Sequence, residues 1–192
     1  MKNSSPVILA LDFNDMASTV EMIELTREHV GVYKLGLEFY LSHGKSGVNE
    51  IQDKFTDIEI FLDLKLHDIP NTVAGACRSV ADINPKFLTV HASGGSKMIS
   101  AASSTLPKVE ITAVTILTSL DKEQMNAMGL NENIDNLTLS LAKNAVNSGA
   151  RAIVSSPQEV SLLRKHLGEK VTLITPGVRP SGAERDDQER IM

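Results

Sequence analysis

The chain has 192 residues, 42% of them hydrophobic and 22% charged, with a net charge of -5. This length and balance predict a soluble globular protein with a sizeable core, one domain over 1–192, and the acidic excess argues against broad attraction to nucleic acid or an anionic membrane. An anionic ligand must therefore be met by a few placed cations.

The N-terminus has one lysine and then only the apolar run 7–11 before Asp12, too short for the core of a signal peptide. The longest later run, ITAVTILTSL, falls well short of the roughly 20 residues that span a bilayer, so a cytoplasmic location is expected. VILALD (7–12) reads as the first strand, and DMASTVEMIELTREHV after it as an amphipathic helix with Val20, Ile23 and Leu25 at helical spacing. VYKLGL (32–37) and IEIFLDLKL (58–66) follow as strands, and a helix begins in IPNTVAGA with Pro70 in its first turn. Cys77 lies in that helix; a single cysteine forms no internal disulfide and is expected to pack as a small apolar residue. FLTVHAS (87–93) is the fourth strand, and SGG (93–95) behind it reads as a loop rather than a phosphate cradle. EITAVTILTS (110–119) is the fifth strand, and NIDNLTLSLAKNAVNSGA is a helix ended by Gly149. RAIVSS (151–156) and VTLITPG (171–177) complete seven strands, while His29, His43 and His166 are expected on the surface.

Strands alternating with helices predict a parallel sheet with right-handed crossovers, either doubly wound or closed as a TIM (β/α)8-type barrel. The first strand is not followed by the Gly-rich turn that a dinucleotide-binding sheet uses. Polar residues instead gather at strand C-terminal ends: Asp12, Lys34, Asp63 with Lys65, His91, Thr118 with Ser119, and the TPGVRP turn. Converging polar strand ends predict a barrel mouth. GAERDDQERIM reads as the start of the seventh helix, so the eighth βα unit is expected to be missing from this chain.

The stretch IFLDLKLHDIPNT (60–72) sets Asp63, Lys65, His67 and Asp68 in or just after the most apolar strand. Alternation turns Leu62, Leu64 and Leu66 to one face and Asp63, Lys65 and His67 to the other. A structural ion pair is the simplest account, but buried charges are expensive and hydrophobic replacements do as well or better. A lysine held between carboxylates is kept as an ammonium, a poor Schiff-base nucleophile and a competent general acid. A neighbouring acid repels an anionic substrate group, so the set suits a reaction that loses such a group and protonates the carbanion left behind. His91 with Asp12 and Asp63 could alternatively hold a divalent metal.

FLDLKLHDIPNT resembles the D-x-K-x-x-D…I-P-N-T signature of the orotidine 5′-phosphate decarboxylase family. LALD, YKLGLEF, VHASGG, AVTILTS, TPGVRP and DDQERIM, the family's other landmarks, follow its order along essentially the whole chain. The resemblance implies decarboxylation of orotidine 5′-phosphate to uridine 5′-phosphate in pyrimidine synthesis, without cofactor or metal. By matching position it implies Lys65 as proton donor to C6 of the pyrimidine, Asp63 beside the leaving carboxylate, and Lys34 in the same charged network. Asp12 and Lys34 are expected at the ribose, Thr118 and Ser119 at the pyrimidine, and Arg179 and Gln188 on the phosphate side. Asp68 and Thr72 are expected to reach the neighbouring subunit's site, which implies a homodimer with shared sites. The family's eighth strand ends in a Gly-Arg pair that grips phosphate, and no such pair follows here. Beside the decarboxylase stand two alternatives: a catalytically impaired ligand-binding remnant, from the missing pair, or a metal-dependent sugar-phosphate decarboxylase or aldolase of the same superfamily, which shares D-x-K-x-x-D.

Overall fold

The computed structural model describes residues 5–131 and 133–177. Its strands are β1 (Ile8–Leu11), β2 (Val32–Leu35), β3 (Glu59–Leu66), β4 (Phe87–His91), β5 (Glu110–Val114), β6 (Ala152–Val154) and β7 (Thr172–Ile174). The helices are α1 (Met16–Thr26), α2 (Leu37–Lys54), α3 (Pro70–Ser79), α4 (Gly95–Thr105), α5 (Lys122–Ala127), α6 (Ile134–Asn147) and α7 (Val160–Leu167).

All seven strands are parallel and lie in one sheet in chain order, β1 to β7. A doubly wound sheet reverses its order at a switch point, so this winding is that of a barrel. The sheet also curls. Ile8 of β1 and Ile174 of β7 pack against the same inner cluster of Val32, Phe61, Phe87 and Ala152. Alternation along the strands separates this interior from a larger core on the outer face, where Tyr33, Leu35, Leu62, Leu88 and Ile153 meet the helices. The two inner phenylalanines sit edge to face, 5.5 Å between centroids. Burying side chains of this size contributes about 1.5–3 kcal/mol each.

Local sequence explains most of the boundaries. Asp15 caps α1 by accepting from the Ser18 amide at 2.8 Å, and Pro70 opens α3 where its missing N–H costs nothing. Gly149, at φ +100, follows the end of α6. Cys77 is fully buried, and desolvation pushes its thiol up to about 11.

Several details differ from the sequence reading. SGG is not a loop: a 3-10 turn over Ala92–Gly94 leads straight into α4 at Gly95. The fifth and seventh strands end early, at Val114 and Ile174, and the residues expected at their tips become loops. Pro176 has no amide to continue the ladder. α2 is broken at Gly44, whose φ is +61. His43 is half-buried, its ring against Phe39 and one nitrogen 3.0 Å from the Asn14 carbonyl.

Candidate active site

The C-terminal ends of the strands open onto a cavity of about 760 Å³. Its floor is apolar, formed by Phe61, Val114, Val154 and Ile174. Among the described residues, the four charged ones of its lining, Asp12, Lys34, Asp63 and Lys65, all come from β1 to β3 or the residue just past β1. Facing them are the uncharged tips that follow β5 and β7, including Thr118, Ser119, Thr175 and Pro176. Among the described residues, one wall is therefore ionic and the other neutral.

The charged wall is a chain of alternating sign. The Lys34 ammonium donates to Asp12 Oδ1 at 2.8 Å and lies 3.8 Å from Asp63 Oδ2. Lys65 Nζ donates to both carboxylate oxygens of Asp63, at 2.9 and 2.8 Å. Asp63 is the most enclosed, its side chain 12% exposed against 31% for Lys65 and 60% for Asp12. An isolated charge at that depth would cost several kcal/mol, and the alternation gives each charge an opposite neighbour. Gly36 leaves room for this: a β-carbon there would stand 3.1 Å from Asp12 Oδ1 and 3.3 Å from Lys34 Nζ.

Simple strand alternation does not deliver this geometry. Leu62 pairs with Leu88, but the next pair is Leu66 with Val90, so β3 carries a bulge. Lys65 stands inside it at φ +46, a conformation that residues with a β-carbon seldom adopt. The three leucines still turn outward and Asp63 and Lys65 still share the lumen. Fully buried Thr89, on β4, is bonded to both of them. No motif marks Thr89, because its partners lie 24 and 26 residues away.

His91, half-buried at the end of β4, stacks obliquely on His67, with 5.3 Å between ring centroids. Burial lowers its pKa, and the nearby His67 and Lys65 act in the same direction against the opposing pull of Asp63. Asp12 and Asp63, its proposed partners at a metal, are each bonded to a lysine. Among the described residues no three His, Cys, Asp or Glu side chains form a metal-ligand set. No helix of the described residues is long and apolar enough to cross a membrane.

The cavity thus brings together Asp12, Lys34, Asp63, Lys65, Thr118 and Ser119. Asp68 and Thr72 are exposed and do not line it; the Asp68 carboxylate accepts from the Ile69 amide at 2.7 Å. Arg179 and Gln188 lie outside the described residues.

Comparison with known proteins gives one answer. The model of the Orotidine 5'-phosphate decarboxylase / HUMPS family matches residues 5–192. The orotidine 5'-phosphate decarboxylase of Thermobifida fusca is 47% identical over 188 residues, which cover 98% of this chain and 80% of the relative. That of an Anaeromyxobacter species is 43% identical over 192 residues, covering 100% and 84%. A crystal structure of orotidine 5'-phosphate decarboxylase from Lactobacillus acidophilus superposes with a TM-score of 0.84 at 33% identity, over 93% of this chain and 83% of that one. The chain belongs to the Orotidine 5'-phosphate decarboxylase / HUMPS family.

Proposed function

We propose that this protein is a carboxy-lyase that converts orotidine 5′-phosphate to uridine 5′-phosphate and carbon dioxide in pyrimidine biosynthesis. The observation that carries the proposal is the Asp12–Lys34–Asp63–Lys65 chain along one wall of the cavity, facing the uncharged tips after β5 and β7 among the described residues. The names of the relatives support the same substrate.

The residues divide the chemistry between them. The pyrimidine lies against the neutral wall near Thr118 and Ser119, and the ribose hydroxyls meet Asp12 and Lys34. The substrate carboxylate is directed toward Asp63. As the C6–carboxylate bond breaks, its electron pair stays on C6 and carbon dioxide departs. Lys65 stabilises that developing carbanion electrostatically and then transfers its Nζ proton to C6. No oxidant or electron acceptor is needed. Arg179 and Gln188 are assigned to the phosphate by motif position. Binding energy from that remote group helps position the base against Asp63.

Asp68 and Thr72 are proposed to serve the site of a second copy in a homodimer. Ile69, between them in sequence, is 66% exposed, an apolar side chain of the kind a partner covers. A cytoplasmic location fits such an enzyme.

Loss of orotate absorbance tests the proposal directly. The parent chain is expected to turn over, and Lys65→Ala to lose at least about 10²–10⁴-fold in kcat, the range of one general acid. Activity abolished by a chelator would favour a metal-dependent relative; no turnover by the parent, with Lys65→Ala indistinguishable from it, would sink the assignment.

A further inference from the structure

The buried hydroxyl of Thr89 has no part in the chemistry just described, and it does not line the cavity. Its surroundings nevertheless tie it to the reacting groups. Between the Leu62–Leu88 and Leu66–Val90 pairs, β3 has three residues where β4 has one. The surplus is taken up at Asp63, Leu64 and Lys65, and Lys65 ends at φ +46. A residue with a β-carbon persists there only when its environment imposes the conformation.

Thr89 bonds to two residues of that bulge. The Lys65 backbone N–H donates to Thr89 Oγ1 at 2.8 Å, and the same hydroxyl donates to Asp63 Oδ1 at 2.9 Å. The polarity is unambiguous, because an amide can only donate and an ionised carboxylate can only accept. A single hydroxyl thereby replaces the ladder partner that the bulge takes from the Lys65 amide, and aims the carboxylate that the Lys65 side chain grips. Its carrier is a β-branched side chain, stiff at χ1, on the adjacent strand. Lys65 is held at its backbone by Thr89 and at its tip by Asp63, which Thr89 also holds.

We propose that Thr89 is a positioning residue: its hydroxyl locks the β3 bulge so that the Lys65 ammonium and the Asp63 carboxylate present one preorganised pair to the substrate. The inference rests on the decarboxylase reading for its catalytic consequence, but not for its structural one. Thr89→Val keeps the shape and removes the hydroxyl, whereas Thr89→Ser keeps the hydroxyl and removes a methyl group.

Two measurements test the role. In steady-state kinetics Thr89→Val is expected to lower kcat about 10- to 100-fold, with Thr89→Ser within about three-fold of the parent. KM and the dissociation constant for uridine 5′-phosphate are expected to stay within about two-fold in both, since neither variant touches bound nucleotide. A purely structural hydroxyl would move binding and turnover together. In crystal structures the parent is expected to keep the left-handed Lys65, and Thr89→Val to lose it or to part Nζ from Asp63 by more than about 3.5 Å. Thr89→Val with the pair intact and full kcat overturns the inference, as does Thr89→Ser impaired as deeply as Thr89→Val. Absence of turnover in the parent would refute the functional reading alone, and the crystal comparison would still decide the positioning role. Should Thr89→Val not fold, Thr89→Ala is judged by the same criteria.

Discussion

Lys65 shows how much chemistry this fold concentrates on one residue: a left-handed backbone, a bond from its amide to Thr89, and a side chain spread across both oxygens of Asp63. Lys34, the other lysine beside Asp63, depends on the absence of a side chain at Gly36. Gly36→Ala is expected to displace the Asp12 and Lys34 side-chain ends by a few tenths of an ångström. Because those ends are flexible the melting temperature should hardly change, while kcat/KM falls by about 10-fold from misplacement at the ribose; steady-state kinetics beside a thermal melt separates the two. His91 has a different signature. Its pKa is lowered from 6.5 in the fold, so as pH falls through that value the unfolded chain takes up a proton that the native state refuses. This group's contribution is complete above 6.5 and declines as the solution becomes more acidic. Urea midpoints at about pH 7.5 and pH 5.5 are expected to fall further for the parent than for His91→Gln, and equal slopes would contradict this.

At the scale of elements, the strands hold the site because alternation sends small and aromatic residues into the lumen below the charges. The helices meet the outer core through tight contacts such as Gly149, where φ is +100 and an added β-carbon would collide with the Ser103 side chain of α4. The Ser103 hydroxyl also bonds the Ser148 carbonyl at 3.2 Å, so the end of α6 is pinned to α4. Gly149→Ala is therefore expected to cost about 1–3 kcal/mol, read from urea unfolding, with little change in KM. The strand positions and the helix over Pro70–Ser79 were legible because they depend on period and on local capping. The early end of β5 was not, because ITAVTILTS stays apolar at Ile116 and Leu117 past the point where pairing stops; β7 stops at Ile174, just before Thr175, Pro176 and Gly177. The freed tips are the segments that supply Thr118, Ser119 and Thr175 to the cavity.

For the whole molecule, the decisive question is whether two chains meet as proposed. Asp68 and Thr72 are exposed, stand outside their own cavity and flank exposed Ile69 in sequence. In a shared-site dimer, Lys65→Ala and Asp68→Asn chains are each inactive for different reasons. Verified heterodimers of the two should regain about a quarter to a half of parental activity, since one hybrid site in each dimer has both residues intact; heterodimers with none would count against sharing. Size-exclusion chromatography with light scattering tests the dimer itself.

The sequence alone determined the seven parallel strands, their alternation with helices, and the grouping of Asp12, Lys34, Asp63 and Lys65 at one end of the sheet. These follow from short-range periodicity and from the rule that parallel strands share a C-terminal face. Only the tertiary structure decided the register of β3 on β4, the left-handed Lys65 and the two hydrogen bonds of Thr89, accepted from the Lys65 amide and donated to the Asp63 carboxylate. A bulge is a compromise between two strands, and its strain is supported by a buried hydroxyl 24 residues along the chain from Lys65. Neither strand's own pattern carries that information, because it arises only when the two are laid side by side.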